Sequence, residues 1–213
     1  MNLGDCFWGP LAPASTFDRL RDREQWLTVR GNQDRILLDG GTGPTDRFTL
    51  EELGDEGIGW VRTRTSPTRS IGAVFACHGT PGRDDVTLIE KVEPTHVRWA
   101  SPDELTGALR HLAPGVEVVL CGHSHRPAVL SAEGRLIVNP GSVGLPAYED
   151  GLPHPHHMEA GSPHAHWAVV EQTPVGWSVE SISTPYDVAA AAAAARKHGR
   201  DDWARWIETG RAS

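Results

Sequence analysis

The clearest element that the pattern of apolar and polar positions predicts is a short buried strand over residues 116–121. This run is almost entirely apolar and is bounded by Gly115 and Gly122. An apolar run of that length between glycines is typical of a strand inside a sheet. Because the loop that leaves such a strand starts from a rigid edge, the residues just after position 121 lie where a functional site can form.

Helix and strand patterns alternate along the rest of the chain, which is typical of α/β units. A helix is predicted to open at Ser101, because Pro102 suits the first turn and Glu104 completes a capping box. Seven consecutive alanines at 189–195 are strong helix formers. The predicted helices are 14–26, 102–112, 188–195 and 201–209, and the predicted strands are 27–29, 128–131, 135–139, 167–171 and 177–183. Residues 39–70 have the weakest hydrophobic pattern, and within them a helix start is predicted at 49–52 and a strand at 59–65.

Two histidines, His123 and His125, follow the 116–121 strand directly. A His-x-His pair alone is more often solvated than bound to metal. Three further segments share its design, however, because each sets a ligand-type residue after a short apolar stretch and a turn: Asp5, Asn32 and His78. Carboxylate, amide and imidazole donors at four strand ends suit divalent ions such as Mn, Fe or Zn.

In these segments the chain resembles the calcineurin-like metallophosphoesterases, and more narrowly their small single-domain bacterial phosphodiesterases. Each segment is short, but together they cover most of the chain in the family's order. The matching segments are Gly4-Asp5, Gly31-Asn32-Gln33-Asp34, Cys77-His78-Gly79, Gly122-His123-Ser124-His125 and Asn139-Pro140-Gly141-Ser142-Val143-Gly144. The resemblance implies an α+β fold (an α/β sandwich) of the metallo-dependent phosphatase type. Two facing mixed β-sheets flanked by helices are expected in one domain over residues 1–213.

The resemblance also implies a ligand set for two divalent metal ions, which are Mn, Fe, Zn or Ni. Asp5 is expected to bridge the ions, Asn32, His78 and His123 to complete one site, and His125 to bind the other. Two cations held in this way neutralise phosphate oxygens and turn a water into a nucleophile. The implied function is hydrolysis of a small phosphoester or nucleotide-like substrate, with a phosphodiester favoured. No substrate-binding residue is assigned.

The chain departs from the family pattern at its start, because no Asp-x-His motif precedes Asp5. Without that motif the second site keeps only Asp5 and His125, fewer than the three or so protein ligands that a catalytic transition metal takes. Either the natural chain starts upstream of Met1 or the protein is a degenerate member of the family. The upstream start is favoured, because residues 1–3 are already predicted to belong to a core strand. A chain that began there would leave the neighbouring position in the sheet uncovered. The prediction is therefore an N-terminally truncated domain that lacks its first strand and helix.

A second departure concerns the two catalytic candidates, Gln33 and Asp34. Gln33 stands where many relatives carry the histidine that protonates the leaving group. A glutamine amide donates a hydrogen bond but delivers no proton near neutral pH, which favours diester or activated substrates. Asp34 is expected to orient the neighbouring amide or bind through it, and an Asx-type turn after Asn32 is an equally weighted alternative.

Composition limits the classes of function. The 213 residues suffice for one substantial core, and no apolar stretch approaches the roughly 20 residues of a membrane span. A net charge of −8 with only 20 scattered Lys and Arg residues argues against general nucleic-acid binding. Cys6, Cys77 and Cys121 are an odd number without paired spacing, which indicates a reducing cytoplasm. Each adjoins a ligand motif, so strand alternation points its thiol into the core and away from the metals.

A histidine-rich tract at 146–166 is predicted to form an extended loop at the rim of the site, because three prolines interrupt it. Which of its histidines approaches the site is left open: His154, His156, His157, His164 or His166. The alternative function is a non-catalytic interaction scaffold with a degenerate fold, which the missing motif and Gln33 favour. A structural zinc protein fits worse, since structural sites favour cysteine ligands. Association into homo-oligomers is left open.

Overall fold

Thirteen strands and six helices form a mixed α+β fold in the computed structural model, which describes all 213 residues. The fold class predicted from the sequence is therefore confirmed. The helices are α1 (Pro13–Leu20), α2 (Asn32–Leu38), α3 (Pro44–Arg64), α4 (Pro102–Leu109), α5 (Val188–Lys197) and α6 (Asp201–Thr209). The strands are β1 (Thr28–Val29), β2 (Thr65–Ser66), β3 (Thr68–Ile71), β4 (Val74–Cys77), β5 (Glu90–Val92), β6 (Val97–Trp99), β7 (Val118–Leu120), β8 (Ala128–Ala132), β9 (Arg135–Asn139), β10 (Ala147–Asp150), β11 (His156–Glu159), β12 (Ala165–Thr173) and β13 (Gly176–Thr184).

The largest sheet has five strands in the order β3-β4-β7-β9-β8. Its three central strands, β4, β7 and β9, run parallel to one another, while β3 and β8 lie antiparallel at the two edges. Parallel neighbours end at the same edge of a sheet. The segments that carry His78, His123 and Asn139 therefore leave the sheet side by side.

A second parallel arrangement brings the amino-terminal segment to the same region. Thr28 on β1 pairs with Thr65 on β2 and forms a parallel bridge with Asn2. Asp5 and Asn32 thus follow neighbouring parallel segments. The remaining strands form three antiparallel pairs, β5 with β6, β10 with β11 and β12 with β13.

Three apolar clusters fill the interior. The first lies between the five-stranded sheet and α4, the second joins β10 to α5 and α6, and the third joins α1, α2 and α3 to Phe7. The central strands contribute Cys77, Val119 and Ile137 to the first cluster, and α4 contributes Leu105 and Leu109. Val119 and Ile137 are fully buried there.

The prediction for residues 59–65 was wrong, because α3 continues through them to Arg64. The helix also begins at Pro44, five residues before the predicted start. Gly54 has a non-helical backbone with φ 56°, so α3 consists of two helical segments that meet at a kink, and Gly57 and Val61 lie four residues apart on the buried side of the second segment. This helical spacing against the core overrides the weak helix preference of glycine and valine.

Other differences lie at element boundaries. Helix α1 ends at Leu20 and not at the predicted Trp26, which is 49% exposed, because single turns replace the helix there. Helix α4 opens on the predicted Ser101 capping box but ends at Leu109, three residues early. The 116–121 strand is reduced to β7.

The histidine-rich tract was predicted to be an extended loop, but it contains the antiparallel pair β10 and β11. Ala147 and Met158 on these strands are fully buried, which holds the pair against the core. The strands β12 and β13, predicted at 167–171 and 177–183, pair only with each other and do not join the five-stranded sheet. None of the helices combines the length and the apolar character that a membrane span requires.

Candidate metal and active site

Asp5 lies at the centre of the predicted site and faces the first turn of α2. Its Oδ1 accepts hydrogen bonds from the backbone N–H of Gln33 at 2.9 Å and of Asp34 at 3.3 Å. These donors are among the unpaired N–H groups that begin every helix, so the carboxylate is held at a helix N-terminus. Asp5 itself has φ 54°, a left-handed conformation that few non-glycine residues adopt.

Gly31 allows this close approach. A Cβ at Gly31 would overlap Asp5 Oδ1 and lie 2.5 Å from its Cγ. Gly4, which has φ 100°, is similarly confined, since a Cβ there would lie 2.6 Å from the backbone nitrogen of Gly31. The two glycines are therefore required by the contact between the segments that carry Asp5 and Asn32.

Asp34 is fully buried and is used to hold the backbone of the site. Its Oδ2 accepts hydrogen bonds from the backbone N–H groups of Gly31 and Asp5, each at 2.9 Å. Burial and then the nearby Asp5 carboxylate raise the pKa of Asp34 to about 7. Its other oxygen, Oδ1, is buried without a hydrogen-bond partner.

His78 lies against Asp5 and is almost fully buried. Its Nδ1 lies 2.6 Å from the carbonyl oxygen of Leu3, which fixes the ring, and its Nε2 lies 3.0 Å from Asp5 Oδ2. This second contact lacks the geometry of a hydrogen bond. Burial lowers the pKa of His78, but the Asp5 carboxylate outweighs it and raises the value to about 9.

His123 and His125 lie in the turn after β7, and both have left-handed backbones, with φ 65° and 59°. The His123 ring centroid is 5.2 Å from that of His78, and the His125 ring meets Tyr148 edge to face at 5.0 Å. Burial lowers the pKa of both imidazoles to about 4, helped by His78 beside His123 and by His123 beside His125. Both rings are therefore neutral at pH 7, which is the form that binds metal.

The donor set fits a divalent cation in its chemistry. No three His, Cys, Asp or Glu side chains are arranged in this structure so that they could hold a metal ion together. Eight buried polar atoms nevertheless have no hydrogen-bond partner, and three of them belong to predicted ligands: Asn32 Oδ1, His78 Nε2 and His125 Nδ1. Buried polar atoms are rarely left unpaired unless an ion, a water or a ligand satisfies them.

The structure places Asn32 and Gln33 at the beginning of α2, where both are half-buried. It brings Asp5, His78 and His123 together, and it links Asp5 to the backbone of Gln33 and Asp34. No hydrogen bond engages the Gln33 side chain.

Of the histidine-rich tract, His156 contacts Tyr148, with ring centroids 6.4 Å apart. His166 is buried, and its Nδ1 lies 3.0 Å from Ser183 Oγ. Because Tyr148 also contacts His125, the contact with His156 extends the site towards β11. The sequence alone did not single out Tyr148.

A polar cavity of about 450 Å³ opens beside His78. Arg35 and Arg83 line it, each in a bidentate pair with a carboxylate, Asp84 for Arg35 and Asp85 for Arg83. Its only non-polar lining comes from two prolines and a glycine. These arginines did not stand out in the sequence, since no local motif distinguishes them from other surface charges.

The cysteines follow the prediction that they pack in the core. Cys77 and Cys121 are 1% exposed, Cys6 is half-buried, and all three are free thiols. Burial raises the pKa of Cys77 to about 12 and that of Cys121 well above its ordinary value. Neither thiol therefore offers a thiolate to a metal at neutral pH.

A sequence model of the calcineurin-like phosphoesterase superfamily domain matches residues 1–154. Among solved structures, a metallophosphoesterase from Sphaerobacter thermophilus is similar with a TM-score of 0.73 and 19% identity, over 98% of this chain and 87% of that one. A hypothetical protein from Pyrococcus horikoshii OT3 is similar with a TM-score of 0.69 and 18% identity, over 96% of this chain and 81% of that one. At these identities the two likenesses show the fold alone. No curated protein matches the chain.

Proposed function

This chain belongs to the calcineurin-like phosphoesterase superfamily, and on that premise we propose that it hydrolyses phosphodiesters with the help of two divalent cations. The observation that carries the proposal is the contact between Asp5 Oδ2 and His78 Nε2. The two atoms are 3.0 Å apart and do not share a hydrogen bond. Without metal, the pKa of about 9 makes His78 an imidazolium paired with this carboxylate, and a divalent cation that displaces the His78 proton would be bound by both side chains.

The residues that hold the cations are those that the resemblance implies. Asp5, Asn32, His78 and His123 hold the first, while Asp5 and His125 contribute to the second. When bound, such cations neutralise phosphate oxygens and lower the pKa of a water for in-line attack. The unpaired Asn32 Oδ1 and His125 Nδ1 support this assignment, because both are buried polar atoms without a hydrogen-bond partner.

The chain's own residues also bear on the choice of substrate. The backbone N–H of Gln33 donates to Asp5, and a side-chain amide such as that of Gln33 can stabilise a phosphate oxygen but cannot give a proton to a departing alkoxide. A phosphodiester or an activated ester depends less on that proton than an unactivated alkyl monoester does. Asp34 is a positioning residue, since its carboxylate is occupied with the backbone of Asp5 and Gly31.

The cavity through which a substrate would approach the site has a polar lining. The cavity beside His78 is lined by two arginines whose charges are balanced by Asp84 and Asp85. Such a lining favours a small hydrated phosphoester over a lipid-like one, because burying an apolar chain there would gain little from the hydrophobic effect. We take this cavity as the approach to the metal ligands.

The test combines metal content with hydrolysis. Purified protein is loaded with Mn²⁺, dialysed and analysed for bound metal, and is then assayed with bis(p-nitrophenyl) phosphate and p-nitrophenyl phosphate. We expect about two equivalents of metal and faster hydrolysis of the diester, with both lost in His123→Ala. His111→Ala, an exposed histidine outside the site, is the matched control.

Other results contradict the proposal. A protein that binds no metal and cleaves neither ester is a scaffold, which is the alternative that Gln33 favours. One equivalent of metal with hydrolysis would contradict the binuclear assignment. A preference for the monoester would contradict the choice of substrate.

A further inference from the structure

Ser124 separates the two histidines of the His-x-His turn and is fully buried. The residues on both sides of it, His123 and His125, have left-handed backbones. A non-glycine residue in that conformation costs about 1 kcal/mol or more, so a turn with two of them needs support from its surroundings. The support comes through the Ser124 side chain.

A buried carboxylate holds that side chain. Ser124 Oγ donates a hydrogen bond to Glu90 Oε1 at 2.9 Å, and Glu90 is only 1% exposed. Ser124 Oγ also accepts a hydrogen bond from Asn139 Nδ2 at 3.0 Å, and the same amide donates to the Gly122 carbonyl at 2.8 Å. Glu90 and Asn139, from different parts of the fold, thus hold the start of the turn at Gly122 and its middle at Ser124.

Glu90 is itself fixed from two sides. It lies on β5 opposite Trp99 of β6, and its carbonyl accepts a hydrogen bond from Thr87 Oγ1 at 2.8 Å. The nearest cation is Arg126, whose Nη1 lies 4.0 Å from Glu90 Oε1 and whose guanidinium lies 4.6 Å from the centre of the Trp99 ring. The position of the carboxylate therefore depends on a rigid strand pair.

Burial of this carboxylate is costly for the fold. Glu90 Oε2 is buried without any partner, and Arg126 is too distant for a hydrogen bond to the other oxygen. A buried carboxylate in this state destabilises the protein relative to an apolar side chain of similar size. A gain in stability therefore does not explain why a glutamate occupies this buried position, whereas its hydrogen bond to Ser124 does.

We propose that Glu90 is a positioning residue that holds His123 and His125 in their left-handed conformations through the Ser124 hydroxyl. Its effect on metal binding rests on the proposed function. The positioning itself concerns the conformation of the turn and can be measured in protein without metal. Asn139 supports the same hydroxyl from the opposite side.

The experiment uses Glu90→Ala, Glu90→Gln and Ser124→Ala in the full chain. Glu93→Ala is the matched control, since Glu93 follows the same strand but is 37% exposed and pairs with Arg98. Mn²⁺ affinity is measured by titration calorimetry, and the histidine side-chain resonances are recorded by ¹⁵N NMR without metal. Unfolding in urea reports stability separately from both.

We expect Glu90→Ala and Ser124→Ala each to weaken Mn²⁺ binding by about tenfold to a hundredfold, the range found for residues that orient metal ligands. Glu90→Gln should recover most of the affinity, because its amide oxygen still accepts the Ser124 hydrogen bond. The Glu90→Ala/Ser124→Ala double variant should bind Mn²⁺ no more weakly than either single variant, since the two substitutions remove the same hydrogen bond. Only the His123 and His125 resonances should shift.

A folded Glu90→Ala or Ser124→Ala protein with unchanged Mn²⁺ affinity and unchanged His123 and His125 resonances overturns the inference. Additive losses in the double variant, or no recovery by Glu90→Gln, overturn it as well. If Glu90→Ala does not fold, Ser124→Ala and Glu90→Gln decide by the same criteria. If the unsubstituted protein binds no Mn²⁺, the proposed function fails, and the NMR spectra alone decide whether Glu90 positions the turn.

Discussion

The Asp34 carboxylate accepts a hydrogen bond from the backbone N–H of Asp5 at 2.9 Å, and the Asp5 carboxylate accepts one from the backbone N–H of Asp34 at 3.3 Å. Each acidic residue thus binds the other's main chain. The Asp34 oxygen also accepts the Gly31 N–H, which closes the first turn of α2. This reciprocal contact holds the segments of Asp5 and Asp34 together, and the binding of a metal ion by Asp5 would depend on it.

Asp34→Ala should lower the free energy of unfolding by about 3 kcal/mol, because it leaves the N–H groups of Asp5 and Gly31 without their acceptor in a buried place. Asp34→Asn keeps an acceptor oxygen in the same position and should lose much less. Urea unfolding of the three proteins measures the difference. Equal losses in the two variants would show that the charge of Asp34, and not its acceptor geometry, maintains the turn.

Gly31→Ala should displace Asp5, since the added Cβ would overlap the Asp5 carboxylate. We expect a loss of several kcal/mol in unfolding free energy and a loss of Mn²⁺ binding, as is usual when a buried network is broken. Gly107→Ala is the control, because nothing lies within 4 Å of a Cβ there and the position is helical. That change should raise stability by about 0.5 to 1 kcal/mol. Calorimetric Mn²⁺ titration and urea unfolding measure the two effects. A Gly31→Ala protein with unchanged stability and intact Mn²⁺ binding would contradict the prediction.

The elements that the sequence predicts best are those whose signals are local. The capping box of Ser101 and Glu104 starts α4 where expected, and α6 spans the predicted 201–209 without change. The segments that carry the proposed ligands could also be located from sequence, because each one follows an apolar run at the end of a strand. Neighbouring parallel strands then bring these ends together, which is a property of the topology that alternating strands and helices imply.

Residues whose roles depend on partners far away along the chain could not be identified from the sequence. Glu90 owes its importance to Ser124, which lies 34 residues away along the chain. In the sequence Glu90 is one charged residue after the apolar pair Leu88 and Ile89. Helix α3 was missed over its second half because Gly54, Gly57 and Gly59 lie within it, and glycine weakens the helical signal of a sequence.

The pH dependence of stability should carry a contribution from Glu104. Hydrogen bonds from Arg98 and then from the Ser101 backbone lower the pKa of Glu104 to about 2, against an ordinary value of 4.5. Because the pKa is lower in the folded state, the stabilisation is present above pH 4.5 and is lost as the pH falls towards 2.

Glu104→Gln should therefore have a lower urea midpoint than the unsubstituted protein near neutral pH, and the two midpoints should converge in acid. Glu52→Gln serves as the control, since Glu52 is exposed on α3 and makes no ion pair. A difference that stays constant from neutral pH into acid would show that Glu104 acts through packing and not through its charge.

The last prediction concerns the C-terminal helices, which extend beyond the residues that the family model matches. Trp203 on α6 is 4% exposed and packs on Trp8, with ring centroids 5.6 Å apart. A Cβ on Gly9 would lie 2.7 Å from the Trp203 ring, so the fit between α6 and the segment after Asp5 is close. His198 Nδ1 also lies 2.6 Å from the Pro10 carbonyl oxygen.

Because of this packing we predict that residues 1–213 unfold as one domain. Trp203→Ala should lower the free energy of unfolding by about 3 to 5 kcal/mol, the usual cost of removing a buried aromatic ring. Trp26→Ala, at a position 49% exposed, should change it by about 0.5 kcal/mol or less. Circular dichroism and tryptophan fluorescence should report a single coincident urea transition in each protein. Two separate transitions would mean that α5 and α6 form an independent unit, in which case Trp203→Ala would leave the transition of the central sheet where it was.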